Sequence, residues 1–188
     1  MAYFPFFVDL SGQRGLIVGG GTVALRKAEK LLPYGPELTV VAPEPVPALT
    51  ALPVTLERRR FREADLEGAG FVIAATDDRE ENHRISALCR GQNIPVNAVD
   101  DREACSFLFP ALVRRGDLSV GISTGGSSPT AAVWLKEQIA ALLEKEKVLN
   151  PTAYKQREGR KTPHQTPENE YRWHESTVAY ILEYMEYT

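Results

Sequence analysis

Five short apolar runs punctuate the first half of the chain: Gly15–Val18, Glu37–Ala42, Val54–Arg58, Phe71–Ala75 and Pro95–Val99. Each is β-branched and apolar enough to predict a strand that is buried or half buried. Helical periodicity fills several of the gaps between them. Beyond Gly21, the positions Ala24, Ala28, Leu31 and Leu32 recur on one helix face, and the pattern stops at Gly35-Pro36. Glu80–Arg90 repeats the helical spacing with Ile85, Leu88 and Cys89 turned inward, and leads through Asn93-Ile94-Pro95 into the fifth run. Strands and helices in this order predict an α/β fold built on a Rossmann-type doubly wound parallel sheet.

Past residue 105 the pattern changes. Ser106–Val113 and Leu118–Ser123 predict two strands joined by the polar turn Arg114-Arg115-Gly116-Asp117. A helix follows, with Ser128 as N-cap, Pro129 at its first position and Leu135, Ile139, Leu142 and Leu143 along one face. A strand pair and one helix are too small to hide their own apolar surface, which predicts packing against the same element of a second copy. Residues 150–169 are nearly all polar, carry Pro151, Pro163 and Pro167, and read as a linker. Thr166-Pro167-Glu168 then opens a final helix whose Tyr171, His174, Val178, Ile181, Leu182 and Met185 form an apolar stripe. The expected division is residues 1–113 as a dinucleotide-binding domain, 114–148 as a dimerisation segment, and 149–188 as linker and short C-terminal helical tail.

With 188 residues, 43% hydrophobic and 25% charged, the chain can bury one good core plus an appendage. No apolar run approaches the roughly 20 residues of a spanning helix, and the opening residues Met1–Asp9 lack the basic and small-residue signature of a secretory leader. A cytoplasmic location and no membrane partner are expected. A net charge of −3 argues against a nucleic-acid partner. The local basic run Arg58-Arg59-Arg60 with Arg62 reads as a solvated strand edge. Cys89 and Cys105 read as buried reduced thiols. His83, His164 and His174 have no zinc-like spacing to a second ligand, so no metal site is expected.

The candidate chemistry begins at Leu16–Ala24, where an apolar strand runs through Gly19, Gly20 and Gly21 straight into an amphipathic helix. Gly19 permits a tight turn, Gly21 removes a side chain that would hold the backbone away from phosphates, and Ala24 allows close helix packing. The helix N-terminus offers unpaired N–H groups to a dinucleotide pyrophosphate, which points to a nicotinamide dinucleotide. Ligands of such sheets bind beyond the carboxyl ends of the strands. Pro43 and Glu44, Thr76 with Asp77 and Asp78, and Asp100 with Asp101 all stand there.

Taken in order, Tyr3–Pro5, Val18–Lys27, Val41–Pro43, Ala74–Asp78, Val96–Asp100, Ser106–Pro110 and Ile122–Pro129 resemble the precorrin-2 dehydrogenase family, the dehydrogenase and chelatase part of siroheme synthase, over about residues 3–146. The resemblance implies oxidation of precorrin-2, a tetrapyrrole, to sirohydrochlorin with NAD as acceptor, in a homodimer, and some members then insert iron. It also implies that the family's essential aspartate falls on Asp100, and that its cofactor contacts fall on Thr22 and Val23 after the glycines and on Pro43 and Glu44 beyond the second strand. Family members usually continue into a compact helical domain, whereas this chain is linker-like there.

The residue types fit such a reaction. Dehydrogenation removes a hydride and a proton, so it needs an acceptor and a nearby base, and Asp100 ends the fifth strand where a base is wanted. As a strand-ending aspartate, Asp100 reads equally well as a turn residue, while Asp101 is expected to be solvated. The loop Thr124-Gly125-Gly126-Ser127-Ser128-Pro129 feeds a helix N-terminus and could cradle substrate carboxylates, with Thr124, Ser127 and Ser128 as contacts. Helix capping by Ser127 and Ser128 is an equal reading, and both can hold at once. Ala42-Pro43 stands where Asp or Glu usually holds the ribose 2′-OH, and Glu44 comes late. No arginine is placed there for a 2′-phosphate, so NAD is expected over NADP. Two other functions remain open: a bifunctional enzyme that also has sirohydrochlorin ferrochelatase activity, and a non-catalytic nucleotide-binding regulatory subunit.

Overall fold

The computed structural model describes residues 3–115 and 118–145. Two units are distinguished: one spans Phe6–Leu108, and the other holds the residues from Phe109 on together with residues 3–5.

In the first unit the strands are β1 (Arg14–Val18), β2 (Glu37–Val41), β3 (Thr55–Glu57), β4 (Phe71–Ala74) and β5 (Val96–Ala98). They form one sheet in the order β3-β2-β1-β4-β5. Every pairing is parallel. Parallel strands need crossovers, and these are supplied by α1 (Thr22–Leu31), α2 (Pro47–Thr50) and α3 (Arg79–Gly91). The chain builds outward from β1 through β2 to β3, then returns to lay β4 against the free side of β1. That reversal opens a crevice beyond the carboxyl ends of β1 and β4, the place where doubly wound sheets bind ligands.

Burial explains why the strand sequences are so uniformly apolar. All four residues of β4 are buried, as in a central strand covered on both faces. On one face Leu16, Val18, Val72, Ala74, Val96 and Ala98 join Leu66, Ile85 and Cys89 in a single core cluster. On the other, strand alternation puts Ile17, Val40 and Ile73 in one row, and the register adds Asn97 beside Ile73. Asn97 is the polar member of that otherwise apolar row, and it too is buried. At the amino end of β1, Gly15 is required by close packing: a Cβ there would lie 2.4 Å from the Phe71 ring.

The α1 stripe falls where the periodicity placed it, with Ala24, Ala28 and Leu31 buried, and the helix tightens into a 3-10 turn at Leu32–Tyr34 before Gly35 at φ 76°. α3 starts one residue earlier than expected. The Asp78 side chain accepts from the Glu80 and Glu81 N–H groups at 2.9 and 3.2 Å and so caps the helix.

Two expectations are corrected. The run Ser106–Val113 is not one strand, and only Ala111–Arg115 forms β6. Residues before it instead fold against β5: Ser106 N–H donates to the Val96 carbonyl at 2.8 Å, and the Val96 N–H donates to Ser106 Oγ at 2.7 Å. The basic run lies beyond the strand and not on it: β3 ends at Glu57, Arg58, Arg60 and Arg62 are exposed as expected, and Arg59 makes a two-pronged bond to Asp65 at 2.7 and 2.8 Å.

In the second unit β6 pairs antiparallel with β7 (Leu118–Ile122), from Ala111 opposite Ile122 to Arg115 opposite Leu118. The helix α4 (Pro129–Lys145) packs on both strands. The boundary therefore falls at Phe109, ahead of β6, since that strand belongs with its hairpin partner. Ala132 is buried against the hairpin side, whereas Val133, Trp134, Leu135 and Leu142 are exposed. The expected linker and terminal helix over 149–188 lie outside the described residues. Among the described residues no helix is long and apolar enough to cross a membrane.

Truncating Ile85, fully buried in the core cluster, tests that this cluster holds the sheet. Ile85→Ala is expected to lower unfolding free energy by about 2–5 kcal/mol in urea denaturation, the usual cost of a buried large-to-alanine change.

Candidate functional site

The glycine loop is shaped by main-chain packing on two sides and by open space on the third. Gly19 has φ 121°, and a Cβ there would lie 2.1 Å from the Ala75 carbonyl oxygen. Its N–H donates to the Val41 carbonyl at 2.9 Å, and the Ala75 N–H donates to the Val18 carbonyl at 2.7 Å, so the ends of β1, β2 and β4 meet at this residue. A Cβ on Gly20 would lie 2.7 Å from both Ala42 Cβ and Pro45 Cα and 3.1 Å from the Glu44 carbonyl oxygen. The Gly20 carbonyl accepts from the Val46 N–H at 2.8 Å. Pro43 and Glu44, both exposed, are thereby held beside the loop.

Gly21 differs from both, because nothing lies within 4 Å of its Cβ position. It caps α1 without any side-chain hydrogen bond, and the first turn of α1 carries no acidic residue. Thr22 and Val23 are exposed there. A helix N-terminus with unclaimed N–H groups, no competing carboxylate and clear space in front of it suits a dinucleotide pyrophosphate.

Thr76 follows β4 at the same edge of the sheet. Its N–H and Oγ1 both donate to Asn82 Oδ1, at 3.1 and 2.8 Å, and its carbonyl accepts from Asn82 Nδ2 at 3.1 Å. Its polar groups are thus engaged by α3, which fixes the turn, while Asp77 beside it is exposed. Sequence reasoning passed over Asn82, although a polar residue one turn inside a helix and on its buried side is a signal that could have found it.

The sequence left Asp100 open between a base and a turn residue, and the structure places it in a turn after β5, next to an aspartate with different surroundings. The Val99 N–H donates to the Ala74 carbonyl at 2.9 Å and carries the β4–β5 pairing to the edge. Asp100 follows, exposed, at φ 59° in the left-handed region that aspartate tolerates. Asp101 is buried rather than solvated, which corrects the expectation for it. Its Oδ1 accepts from the Glu103 and Ala104 N–H groups, both at 3.0 Å, and its Oδ2 lies 2.6 Å from His83 Nε2 and 3.3 Å from Arg79 Nη2. The backbone bond from Ala104 leads the causes that hold the Asp101 carboxyl below its ordinary range, with Arg79 and His83 adding to it. Asp101 closes the turn and ties it to α3, while Asp100 beside it is exposed.

A cation also reaches this edge that the sequence did not single out. Lys27 of α1 is half buried, its Nζ donates to Asn97 Oδ1 at 3.3 Å, and burial is the main reason that its ammonium titrates down at about 8. The motif containing it was read for its glycines, Thr22, Val23 and Ala24, since a lysine on an amphipathic helix is ordinarily a solvated residue.

In the second unit, Thr124, Ser127 and Ser128 form one loop with Gly125 and Gly126 at φ 60° and 82°. Thr124 Oγ1 accepts from the Ser128 N–H at 3.1 Å, Ser127 Oγ donates to the Thr124 carbonyl at 2.6 Å, and Ser128 Oγ accepts from the Ala131 N–H at 3.3 Å. Ser128 therefore caps α4, and Ser127 is exposed beside it. Among the described residues no group of three or more His, Cys, Asp or Glu side chains is arranged to hold a metal ion.

Residues 6–111 match the family described as "Putative NAD(P)-binding". The chain belongs to that family. Residues 115–142 match a second family model, described as sirohaem biosynthesis protein central. The order of the two models agrees with the resemblance carried by the motifs. Siroheme synthase of Tolumonas auensis is 45% identical over 147 residues, which is 77% of this chain and 31% of that protein. Siroheme synthase of Thioalkalivibrio sulfidiphilus is 42% identical over 147 residues, 76% of this chain and 30% of that protein. The chain thus spans about a third of the length of these curated relatives. Among solved structures, that of SirC, a precorrin-2 dehydrogenase, superposes with a TM-score of 0.60 at 28% identity, covering 84% of this chain and 76% of that one. This NAD(P)-binding chain therefore shares its fold with SirC along most of both lengths.

The buried Asp101 makes stability pH-dependent in a predictable direction. Its folded-state carboxyl binds protons less readily than in the unfolded chain, so its contribution is complete above the unfolded value and is lost as pH falls through the folded one. Asp101→Asn keeps the acceptor for Glu103 and Ala104 and removes the charge. It is expected to lower the melting temperature at pH 7 and to flatten the loss of stability between about pH 4 and pH 2, as read by thermal denaturation across a pH series.

Proposed function

We propose that this chain is an NAD-dependent precorrin-2 dehydrogenase that oxidises precorrin-2 to sirohydrochlorin, acting as a homodimer in the cytoplasm. The observation that carries the reading is the placement of an exposed carboxylate, Asp100, on the same sheet edge as a glycine loop whose third glycine faces open space. The likeness to SirC over 84% of the chain supports the choice of substrate.

In this reading Gly19, Gly20 and Gly21 with the N–H groups of Thr22 and Val23 hold the pyrophosphate, Pro43 and Glu44 border the adenine ribose, and Thr76 and Asp77 border the nicotinamide half. When bound, the cofactor supplies a hydride acceptor. Asp100 takes the proton that leaves the tetrapyrrole as the hydride departs, so that one two-electron oxidation is balanced by one hydride transferred and one proton accepted. Asp101 acts beneath it by fixing the turn. Thr124, Ser127 and Ser128 receive substrate carboxylates, with Gly125 and Gly126 letting the backbone approach. The exposed Val133, Trp134, Leu135 and Leu142 on α4 support a second copy as the partner that covers them. Free Cys89 and Cys105 accord with a reducing compartment.

Mixing purified protein with precorrin-2 and NAD is expected to produce sirohydrochlorin absorbance and reduced cofactor together, in equal amounts. Asp100→Ala is expected to lower kcat by about a hundredfold or more, the range for removing a general base, with NAD affinity by calorimetry nearly unchanged. Unaltered turnover in that variant would instead favour another base, and binding without any turnover in the parent chain would favour a regulatory subunit.

Cofactor choice gives a separate test. Glu44 beside the loop suits a ribose hydroxyl and opposes a 2′-phosphate. At equal concentration NAD is expected to support faster turnover than NADP, and the reverse ranking in an initial-rate assay refutes the assignment.

A further inference from the structure

Where β4 leaves the sheet, its main chain runs out of strand partners. The β1–β4 register ends with Val18 opposite Ala74, and one more bond follows, from the Ala75 N–H to the Val18 carbonyl at 2.7 Å. The next peptide is packed on the glycine loop: the Thr76 nitrogen lies 2.9 Å from the Cβ position at Gly19. A main-chain N–H and carbonyl in such a place need partners from outside the sheet. Asn82, on α3 and buried, supplies both. Its Oδ1 accepts from the Thr76 N–H at 3.1 Å, and its Nδ2 donates to the Thr76 carbonyl at 3.1 Å. The same Oδ1 lies 2.8 Å from Thr76 Oγ1, which also lies 2.9 Å from the Asp78 carbonyl and accepts from the Asp78 N–H at 3.2 Å. A buried amide is costly unless its hydrogen bonds are met, and Asn82 meets them on this one residue. The Thr76 hydroxyl is thus held within its own turn, and what the turn presents outward is Asp77, which is exposed.

We propose that Asn82 is a positioning residue for the dinucleotide: it clasps Thr76 through both main-chain groups and so sets the turn after β4, Thr76–Asp78, at a fixed place relative to the glycine loop. The inference rests on the dinucleotide site read above, in which this turn borders the nicotinamide half and the glycine loop holds the pyrophosphate. The two parts of that site are anchored separately. The loop is kept in place by the Gly19 N–H on the Val41 carbonyl and by the Gly20 carbonyl on the Val46 N–H, neither of which involves α3. The turn after β4 depends on Asn82. Losing the clasp moves the surface that meets the nicotinamide half and leaves the surface that meets adenosine and pyrophosphate unchanged.

Calorimetry of the full chain with two nucleotides separates these halves. ADP carries adenosine and a diphosphate, whereas NAD adds the second ribose and the nicotinamide. Asn82→Ala is expected to weaken NAD binding by about tenfold, the scale of one or two lost hydrogen bonds, with ADP affinity as in the parent chain. Asn82→Asp keeps the acceptor, suits the first turn of a helix and loses only the Nδ2 donor. It is expected to act in the same direction, and it serves where the alanine variant fails to fold. In the parent chain itself, the Thr76 amide is expected to exchange with deuterium more slowly than that of Asp77, because the clasp protects it. Equal weakening of NAD and ADP overturns the proposal, since Asn82 would then serve the whole site. So does NAD binding unaltered in the variants, or a Thr76 amide that exchanges as fast as its neighbour's. A parent chain that binds neither nucleotide takes the dinucleotide site and this proposal down together. One that binds NAD but leaves precorrin-2 unoxidised removes the dehydrogenase reading alone, because the test reads binding and not turnover.

Discussion

The closest constraint in the fold is the main-chain approach of Gly19 to the Ala75 carbonyl. With a Cβ position only 2.1 Å from that oxygen, the residue after β1 must be glycine for β1 and β4 to lie side by side up to their carboxyl ends. Everything at the crevice follows from that approach. The order in which the chain adds strands reverses between these two parallel neighbours, so their ends must stay close for the edge between them to exist at all. Gly19 also receives β2 through the Val41 carbonyl, which brings the Ala42–Val46 segment under Gly20 and sets Glu44 beside the loop.

The three glycines therefore have three physical reasons. Gly19 serves contact with β4, Gly20 serves contact with the segment after β2, and Gly21 leaves space outside the protein. Only the third has no protein neighbour at its Cβ position. The same division of labour recurs after β5, where Asp101 spends its carboxylate on the Glu103 and Ala104 N–H groups and on His83, while Asp100 beside it is exposed. A buried acid that fixes a turn makes an exposed neighbour reproducible in position, which a reactive group requires.

Side chains on α1 and α3 then complete the edge from opposite faces of the sheet. Asn82 on α3 takes up the polar groups of Thr76. Lys27 on α1 meets Asn97 across the row of Ile17 and Ile73. Asn82 thus anchors the turn after β4 to α3, and Lys27 anchors β5 to α1. The folding-back of Ser106 and Phe107 onto β5 belongs to the same arrangement, since Asn97 holds Phe107 and the Val96 backbone holds Ser106.

Local pattern alone determined the strands, the α1 and α3 stripes, the glycine loop and the acids at strand ends, because period-two and helical spacing, glycine and capping residues act within a few neighbours. It also placed Ser128 at the start of α4, a capping signal that needs no tertiary partner. What it could not determine is which of two adjacent aspartates is buried, since that depends on His83 and Arg79 arriving from α3. Nor could it separate a strand from the Ser106–Pro110 segment, whose hydrogen bonds go to β5 and not to a hairpin partner. The Lys27–Asn97 bond joins residues 70 positions apart, so only the packing of α1 over the sheet could reveal it. Sequence carries what a residue does with its neighbours along the chain, and tertiary structure decides what it does across the sheet.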